Sequence, residues 1–276
     1  MRINSNPVAT TAVGLVNQRE LELGKSLEKL SSGFRINRAG DDAAGLVISQ
    51  KLRYEISGLK TGLRNAQDGI SVVSVIDGAV GSWSDQFTRM RDLVLQYLND
   101  GSVDDDGKSA IRQELTGLVA AFQLTAANAK FGEKALLGLS PYVGVFQVGN
   151  TADDTITVST DPSIDLDASI AIGTAVSIDY LNDTIDASTL QSITDAANGA
   201  NRIRARMGAL SNRFERAIAN LQTQVENLTN SESRIRDTDM ASEMVNFTRH
   251  QILVHAATAM VAQANQLPQT TLRLFG

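Results

Sequence analysis

The sequence predicts a mainly α-helical fold: an elongated antiparallel helical coiled-coil bundle with a small β-hairpin region. Apolar residues recur at alternating spacings of four and three over long stretches on both sides of the chain's middle, which is the seam of a left-handed coiled coil. Of 276 residues 42% are hydrophobic but only 5% aromatic, poor material for a thick globular core and ordinary for packed helices. Charge is segregated. Ile3 to Gln18 carries none, and Gln251 to Leu272 has His255 as its one titratable side chain; the span between Ala135 and Asn201 has no Lys or Arg and nine aspartates.

Asn6-Pro7 opens the first helix, asparagine as cap and proline at the first position, where a missing N–H is harmless. Val8, Ala12, Leu15, Leu23, Leu27 and Leu30 mark its apolar stripe, and Gly33 closes it, because glycine takes the left-handed conformation without a Cβ clash. The first half is neutral on every face, as in a helix buried on most sides. Arg35 and Arg38 lie in a short basic linker. Asp41 and Asp42 open the next helix, their carboxylates suited to its free N–H groups and positive end.

Leu52, Ile56, Leu59, Leu63, Ala66, Ile70 and Val73 then keep a strict seam that continues less cleanly through Val80, Phe87 and Val94, loosened near Gly78 and Gly81. From Asp42 to Asn99, at ~1.5 Å per residue, this helix spans on the order of 85 Å. The turn Asn99-Asp100-Gly101-Ser102 and the run Asp104-Asp105-Asp106 introduce a shorter helix that folds back, with its seam at Ile111, Leu115, Leu118, Phe122, Thr125 and Ala129. Period-two β-branched runs at Tyr142 to Val148 and Thr155 to Ser159 predict a hairpin. In the acidic stretch from Asp161 to Ala187, Ile170, Ile172, Val176 and Ile178 alternate, consistent with further strands or a loop.

Helix returns near Ser188, with Ile203, Met207, Leu210, Phe214, Ala217, Leu221, Leu228 and Ile235 in heptad register. Ser233 to Asp239 is a second polar break. Met240, Met244, Phe247, Val254 and Val261 define a final helix running to about Gln266 and ended by Pro268. The order is palindromic, so the simplest fold sets the two ends side by side and leaves a neutral pole that one chain cannot cover. A heterologous contact that does not close on itself would build a helical filament there.

Composition excludes several functions. Net charge is −6 and no Lys/Arg stripe exists, so no nucleic acid partner is expected. Without cysteine there is no disulfide, thiolate nucleophile or Cys metal site. The N-terminus lacks the apolar region of a cleaved signal peptide, and no run of apolar residues is long enough for membrane insertion. His250 and His255, five apart and so ~140° apart on a helix, do not share a metal. Asp41-Asp42 reads as capping rather than acid/base chemistry, and Ser31-Ser32-Gly33 as a helix exit. A calcium loop placed on Gly107 would close on Gln113, without its bidentate glutamate. No enzyme, cofactor or metal site is expected.

Two stretches name a family. Leu30 to Ser49 resembles the N-terminal signature of bacterial flagellins, and Ser231 to Met244, continued through Ile252-Leu253 and Ala259 to Gln269, resembles their C-terminal one. Phe131-Gly132, Leu136-Leu137-Gly138 and Phe146-Gln147-Val148-Gly149 look like the family's hairpin region, although the usual Phe-Asn-Gly is here Phe131-Gly132-Glu133. About fifty residues separate Gly149 from Asn201, too few for a large outer domain.

The resemblance implies a structural subunit that polymerises into the extracellular flagellar filament for swimming motility. It divides the chain into an inner-core helix (1–33), a linker (34–44), wall helices (45–130), a hairpin with a short acidic variable segment (131–187), a returning wall helix (188–232), a linker (233–239) and a second inner-core helix (240–276), the terminal helices pairing as a second coiled-coil layer. Implied partners are the chain itself as a helical homopolymer, an export chaperone, the type III export apparatus, and hook-associated and cap proteins. Arg35, Asn37, Arg38, Asp41 and Asp42 would form the assembly joint, with Arg35 and Arg38 binding carboxylates or carbonyl ends of neighbours, and Leu23, Leu27, Leu30, Met244, Phe247, Val254 and Val261 the inner-core packing. Arg89, Leu93 and Glu114 match the family's innate-immune (Toll-like) receptor contact, while Thr88 and Asp92 depart from its usual glutamine and glutamate. The alternatives are a hook-filament junction protein and a secreted adhesin whose ligand face is the acidic middle.

Overall fold

The computed structural model describes residues 6–101, 103–137, 142–160 and 185–275, with side chains as far as residue 266. Strands expected between Asp161 and Thr184 lie outside the described residues. Five helices are described: α1 (Pro7–Ser32), α2 (Ala43–Tyr97), α3 (Asp105–Asn128), α4 (Ala187–Arg236) and α5 (Met240–Phe275). Between α3 and α4 lie two antiparallel two-stranded sheets, β1 (Lys130–Phe131) with β2 (Lys134–Ala135), and β3 (Val143–Gln147) with β4 (Thr155–Ser159). The first closes on Gly132 at φ 60°, a conformation only glycine adopts cheaply.

Each helix starts on a side chain that accepts from an otherwise orphaned N–H. Asn6 Oδ1 takes the Ala9 N–H at 3.2 Å, Asp42 Oδ1 that of Gly45 at 2.8 Å, Asp104 Oδ1 that of Gly107 at 2.9 Å, Asp186 Oδ1 that of Thr189 at 3.1 Å, and Asp239 Oδ1 that of Ala241 at 3.0 Å. Of the two aspartates expected to open α2, Asp42 does so, while Asp41 faces backward and accepts from Asn37 and Arg38. The final helix does not stop at Pro268; its backbone stays helical to Phe275. Proline removes one N–H and crowds the carbonyl four residues back, which bends a helix without having to end it.

The chain divides into two compact units, Met1–Ile56 with Glu226–Gly276, and Ser57–Val225. In the second, buried positions on α2 run Leu59, Gly62, Ala66, Gly69, Val73, Ile76, Val80, Trp83, Phe87, Met90 and Val94, an unbroken three-four heptad. The seam thus holds Gly62 and Gly69, not the neighbouring Leu63 and Ile70. A Cβ at 62 would come within 2.7 Å of the Val148 carbonyl oxygen, and one at 69 within 2.5 Å of the Phe214 ring. Ile111, Leu115 and Phe122 from α3, Ile156 and Val158 from β4, and Ile193 to Phe214 from α4 complete the core. Phe122 meets Trp83 at 4.5 Å and Phe87 at 5.4 Å between ring centroids, and Phe146 stands edge-on to Phe214 at 5.7 Å.

The first unit is an antiparallel pairing of α1 and α5. Asn6 Nδ2 donates to the Ala264 carbonyl at 2.8 Å at one end, and the Thr238 N–H to the Gly33 carbonyl at 3.0 Å at the other. Buried and half-buried residues again follow a heptad: Ala9, Ala12, Val16, Arg19, Leu23, Ser26 and Leu30 on α1, and Glu243, Phe247, His250, Val254, Ala257, Val261 and Ala264 on α5. Val8, Leu15 and Leu27, assigned to the stripe by spacing, are exposed. In a helix apolar on several faces, one residue of shift turns the stripe by ~100°, and size does not decide which face is buried.

Candidate functional site

Gly33, in the left-handed conformation at φ 74°, ends α1 and turns the chain toward the segment joining α4 to α5. Phe34 forms an antiparallel bridge with Asp237, and the Arg35 N–H donates to the Arg236 carbonyl at 2.7 Å. The Arg35 guanidinium reaches the Ile235 carbonyl at 2.6 Å, near the negative end of α4. Above the Phe34 ring lie the guanidinium of Arg236, 4.5 Å from the ring centroid, and that of Arg53 at 5.8 Å. Arg53 also pairs with Glu232 at 3.3 Å. The two polar breaks predicted at opposite ends of the sequence therefore meet as one joint.

Within that joint Asn37 Nδ2 donates to Ser32 Oγ at 2.7 Å and to the Phe34 carbonyl at 3.2 Å. Arg38 Nε holds Glu28 at 2.9 Å. Asp41 accepts the Arg38 N–H at 3.0 Å and the Asn37 N–H at 3.2 Å, and the Arg38 hydrogen bond above all holds its carboxyl below the usual range, burial opposing. Ile36, 1% exposed, plugs the turn against α2 so closely that a Cβ on Gly45 would meet its Cδ1 at 2.7 Å. The five candidate joint residues all find partners in their own chain: Arg35 a carbonyl and Arg38 a carboxylate, where the sequence pointed to groups on neighbours. Phe34, Ile36, Arg53 and Arg236 were not foreseen. Their signal was local, an aromatic beside a helix stop with arginine on both adjoining helices.

Of the inner-core candidates, Leu23, Leu30, Phe247, Val254 and Val261 are half-buried between α1 and α5, whereas Leu27 (56% exposed) and Met244 (50% exposed) face outward. They join Val8, Leu15 and Leu21 on α1 and Val245, Ile252 and Met260 on α5 as bare apolar surface. Met244, Val245, Thr248, Arg249, Ile252 and Leu253 line a shallow apolar depression on α5. A monomer rarely leaves so much apolar surface bare unless something else covers it.

Arg89 grips Glu114 through both Nε, at 2.8 Å, and Nη2, at 2.6 Å, on the surface of the Ser57–Val225 unit. Leu93 is 2% exposed and packs inward, so of the three residues matched to a receptor contact only the ion pair is at the surface. Among the described residues no three metal-ligating side chains converge, and no helix is long and apolar enough to cross a membrane.

Residues 3–140 match the family model for the bacterial flagellin N-terminal helical region, and residues 190–275 that for the C-terminal helical region. The chain is 41% identical to a flagellin of Halalkalibacterium halodurans over 91% of each protein. It is 38% identical to a flagellin of Bacillus subtilis and 37% identical to the flagellar filament 33 kDa core protein of Treponema phagedenis, in both cases over 100% of each chain. With both helical regions matched in order and relatives aligned end to end, the chain belongs to the bacterial flagellin family.

Proposed function

We propose that this chain is the structural subunit of an extracellular flagellar filament and acts by self-assembly. The observation that carries this is the apolar surface left bare on α1 and α5 of a chain belonging to the flagellin family. In the filament α1 and α5 form the inner layer, where Leu27 and Met244 meet neighbouring subunits, and the helices of the Ser57–Val225 unit form the wall. The joint at Arg35, Asn37, Arg38, Asp41 and Asp42 fixes the turn that leads from α1 into α2 within each subunit.

Family membership supports export through the flagellar type III apparatus, a chaperone on the C-terminal helix, and assembly between hook-associated and cap proteins. It supports the surface Arg89–Glu114 pair as the part of the receptor match open to a Toll-like receptor. The relatives' names, flagellin and filament core protein, favour a filament subunit over a hook-filament junction protein. The test is growth of purified full-length protein on sheared filament seeds, followed by sedimentation and electron microscopy. Long filaments are expected; protein that stays soluble, or stops at short caps, overturns the proposal.

A further inference from the structure

The seam between α1 and α5 contains polar residues at heptad positions where coiled coils ordinarily carry aliphatic ones. Ser26 Oγ donates to Glu243 Oε1 at 2.5 Å, and both residues are buried, at 4% and 9% exposure. One turn along α1 and two along α5, Glu22 Oε2, at the edge of the seam, lies 2.6 Å from Arg19 Nη1 and 3.3 Å from His250 Nδ1. Other seam positions hold Ala9, Ala12, Val16, Ala257, Val261 and Ala264, which pack nearly as well one heptad out of place, and the larger Leu23, Leu30, Phe247 and Val254 are only half-buried. Exposed apolar residues on other faces of both helices offer competing stripes. Apolar packing alone therefore specifies register and face weakly.

We infer that Ser26, Glu22, Arg19, Glu243 and His250 are the specificity determinants of this pair, setting its register at the expense of its strength. A slip of one heptad in one direction brings Glu243 level with the turn of Arg19 and Glu22, two carboxylates on one guanidinium, and leaves the His250 imidazole opposite Ala12. The opposite slip carries Glu243 to Gly33, beyond the end of α1, and sets Arg19 and Glu22 against Ala257. Either way a buried polar group loses its partner, which a desolvated site penalises heavily. Glu243 also lies in the first turn of α5, where any acid suits the helix dipole, so the test must separate charge from pairing.

The chain has no cysteine, so introduced pairs are its only thiols. Ala12→Cys with Ala257→Cys reports the observed register, and Ala12→Cys with Ala264→Cys a slip of one heptad. Cross-linking is measured on the full chain after growth on sheared filament seeds, with intrachain products separated from interchain ones by gel mobility. In the parent the in-register pair should form on the order of ten-fold faster than the slipped one. The S26L/E243L variant should lose most of that preference while still cross-linking, R19L/E22L/H250L should lose part of it, and E243Q, which still accepts the Ser26 hydroxyl, should keep it. No preference in the parent, an undiminished preference in both apolar variants, or equal loss in E243Q overturns the inference. If S26L/E243L fails to cross-link at all, R19L/E22L/H250L decides.

Discussion

In the unit spanning Ser57–Val225 the largest buried side chains are Trp83, Phe87, Phe122 and Phe214, none more than 1% exposed. In the unit built from the two chain ends, the buried residues include Ser26, Ser49, Ile56, Glu243 and Ala264, with Ile36 the one large side chain fully enclosed among the described residues, while Leu21, Leu27, Val245, Ile252 and Met260 stand in water. The first kind of unit satisfies its apolar residues within one chain. The second leaves them for a partner and spends its buried positions on polar pairs. Hydrophobic burial supplies most of the stability of a fold, so the two units should respond to substitution in opposite ways.

The largest effect should come from emptying the aromatic core. Phe214→Ala removes a ring that is 0% exposed and sits against Gly69 and Phe146. A loss of about 3 to 5 kcal/mol is expected for a buried Phe→Ala change, read as the shift of the main urea transition. A loss below ~1 kcal/mol would mean that this core is not packed as described. Overfilling the same spot should cost less. Gly69→Val drives a side chain into the Phe214 ring and should destabilise by about 1 to 3 kcal/mol, and combining it with Phe214→Ala should recover part of both losses, because the new side chain occupies the space the ring vacates.

In the terminal unit the order of effects reverses. Arg35→Ala forfeits one hydrogen bond to the Ile235 carbonyl, worth about 0.5 to 1.5 kcal/mol; it should slow seeded filament growth by a larger factor than it lowers the melting transition, and growth at the parent's rate would refute that. Ile252→Asp, on the open face of α5, should change melting by no more than ~0.5 kcal/mol and yet abolish growth on seeds. If Ile252→Asp assembles normally, the bare face of α5 is not a subunit interface, and the contrast between the units loses its functional meaning.

How far this contrast could be read in the sequence depended on side-chain size. The seams of α3 and α4 were legible because Ile111, Leu115, Phe122, Met207, Leu210 and Phe214 are both large and in register. On α2 the same habit selected Leu63 and Ile70 over Gly62 and Gly69, because a glycine has no apolar side chain to mark it. The space it leaves is filled by the Val148 backbone and the Phe214 ring, which lie 86 or more residues away in the chain. On α1 and α5 the error had another source: a stripe traced through apolar residues passes over polar Ser26, Glu243 and His250, which occupy the buried face. A regular spacing was nonetheless visible, since 243, 250, 257 and 264 step by seven. The joint was legible as two polar breaks, but their bridge through Phe34 and Asp237 is a backbone pairing that no side-chain pattern announces.

The smallest expected effects are electrostatic, and they compare the units through one aspartate in each. Asp41, in the joint, and Asp186, capping α4, both titrate below their ordinary value of 3.8. A carboxyl whose folded pKa is depressed contributes stability that is present above its unfolded pKa and is lost as pH falls through the folded value, so both turns should loosen only below about pH 4. The causes differ. Asp186 is held down first by the Ser188 hydroxyl and then by the Thr189 and Ser188 N–H groups, with no charged neighbour contributing. Asp41 is held first by the Arg38 N–H and then by that of Asn37, with added attraction from Lys29 and Lys25. Short hydrogen bonds are hardly screened by salt, whereas charges acting through water are. Carboxyl carbon NMR titrations at low and high salt should therefore show the Asp41 midpoint rising with salt while that of Asp186 stays in place. Equal movement of both would mean that the lysines of α1 do not act on the joint, and that its turn is held by backbone geometry alone.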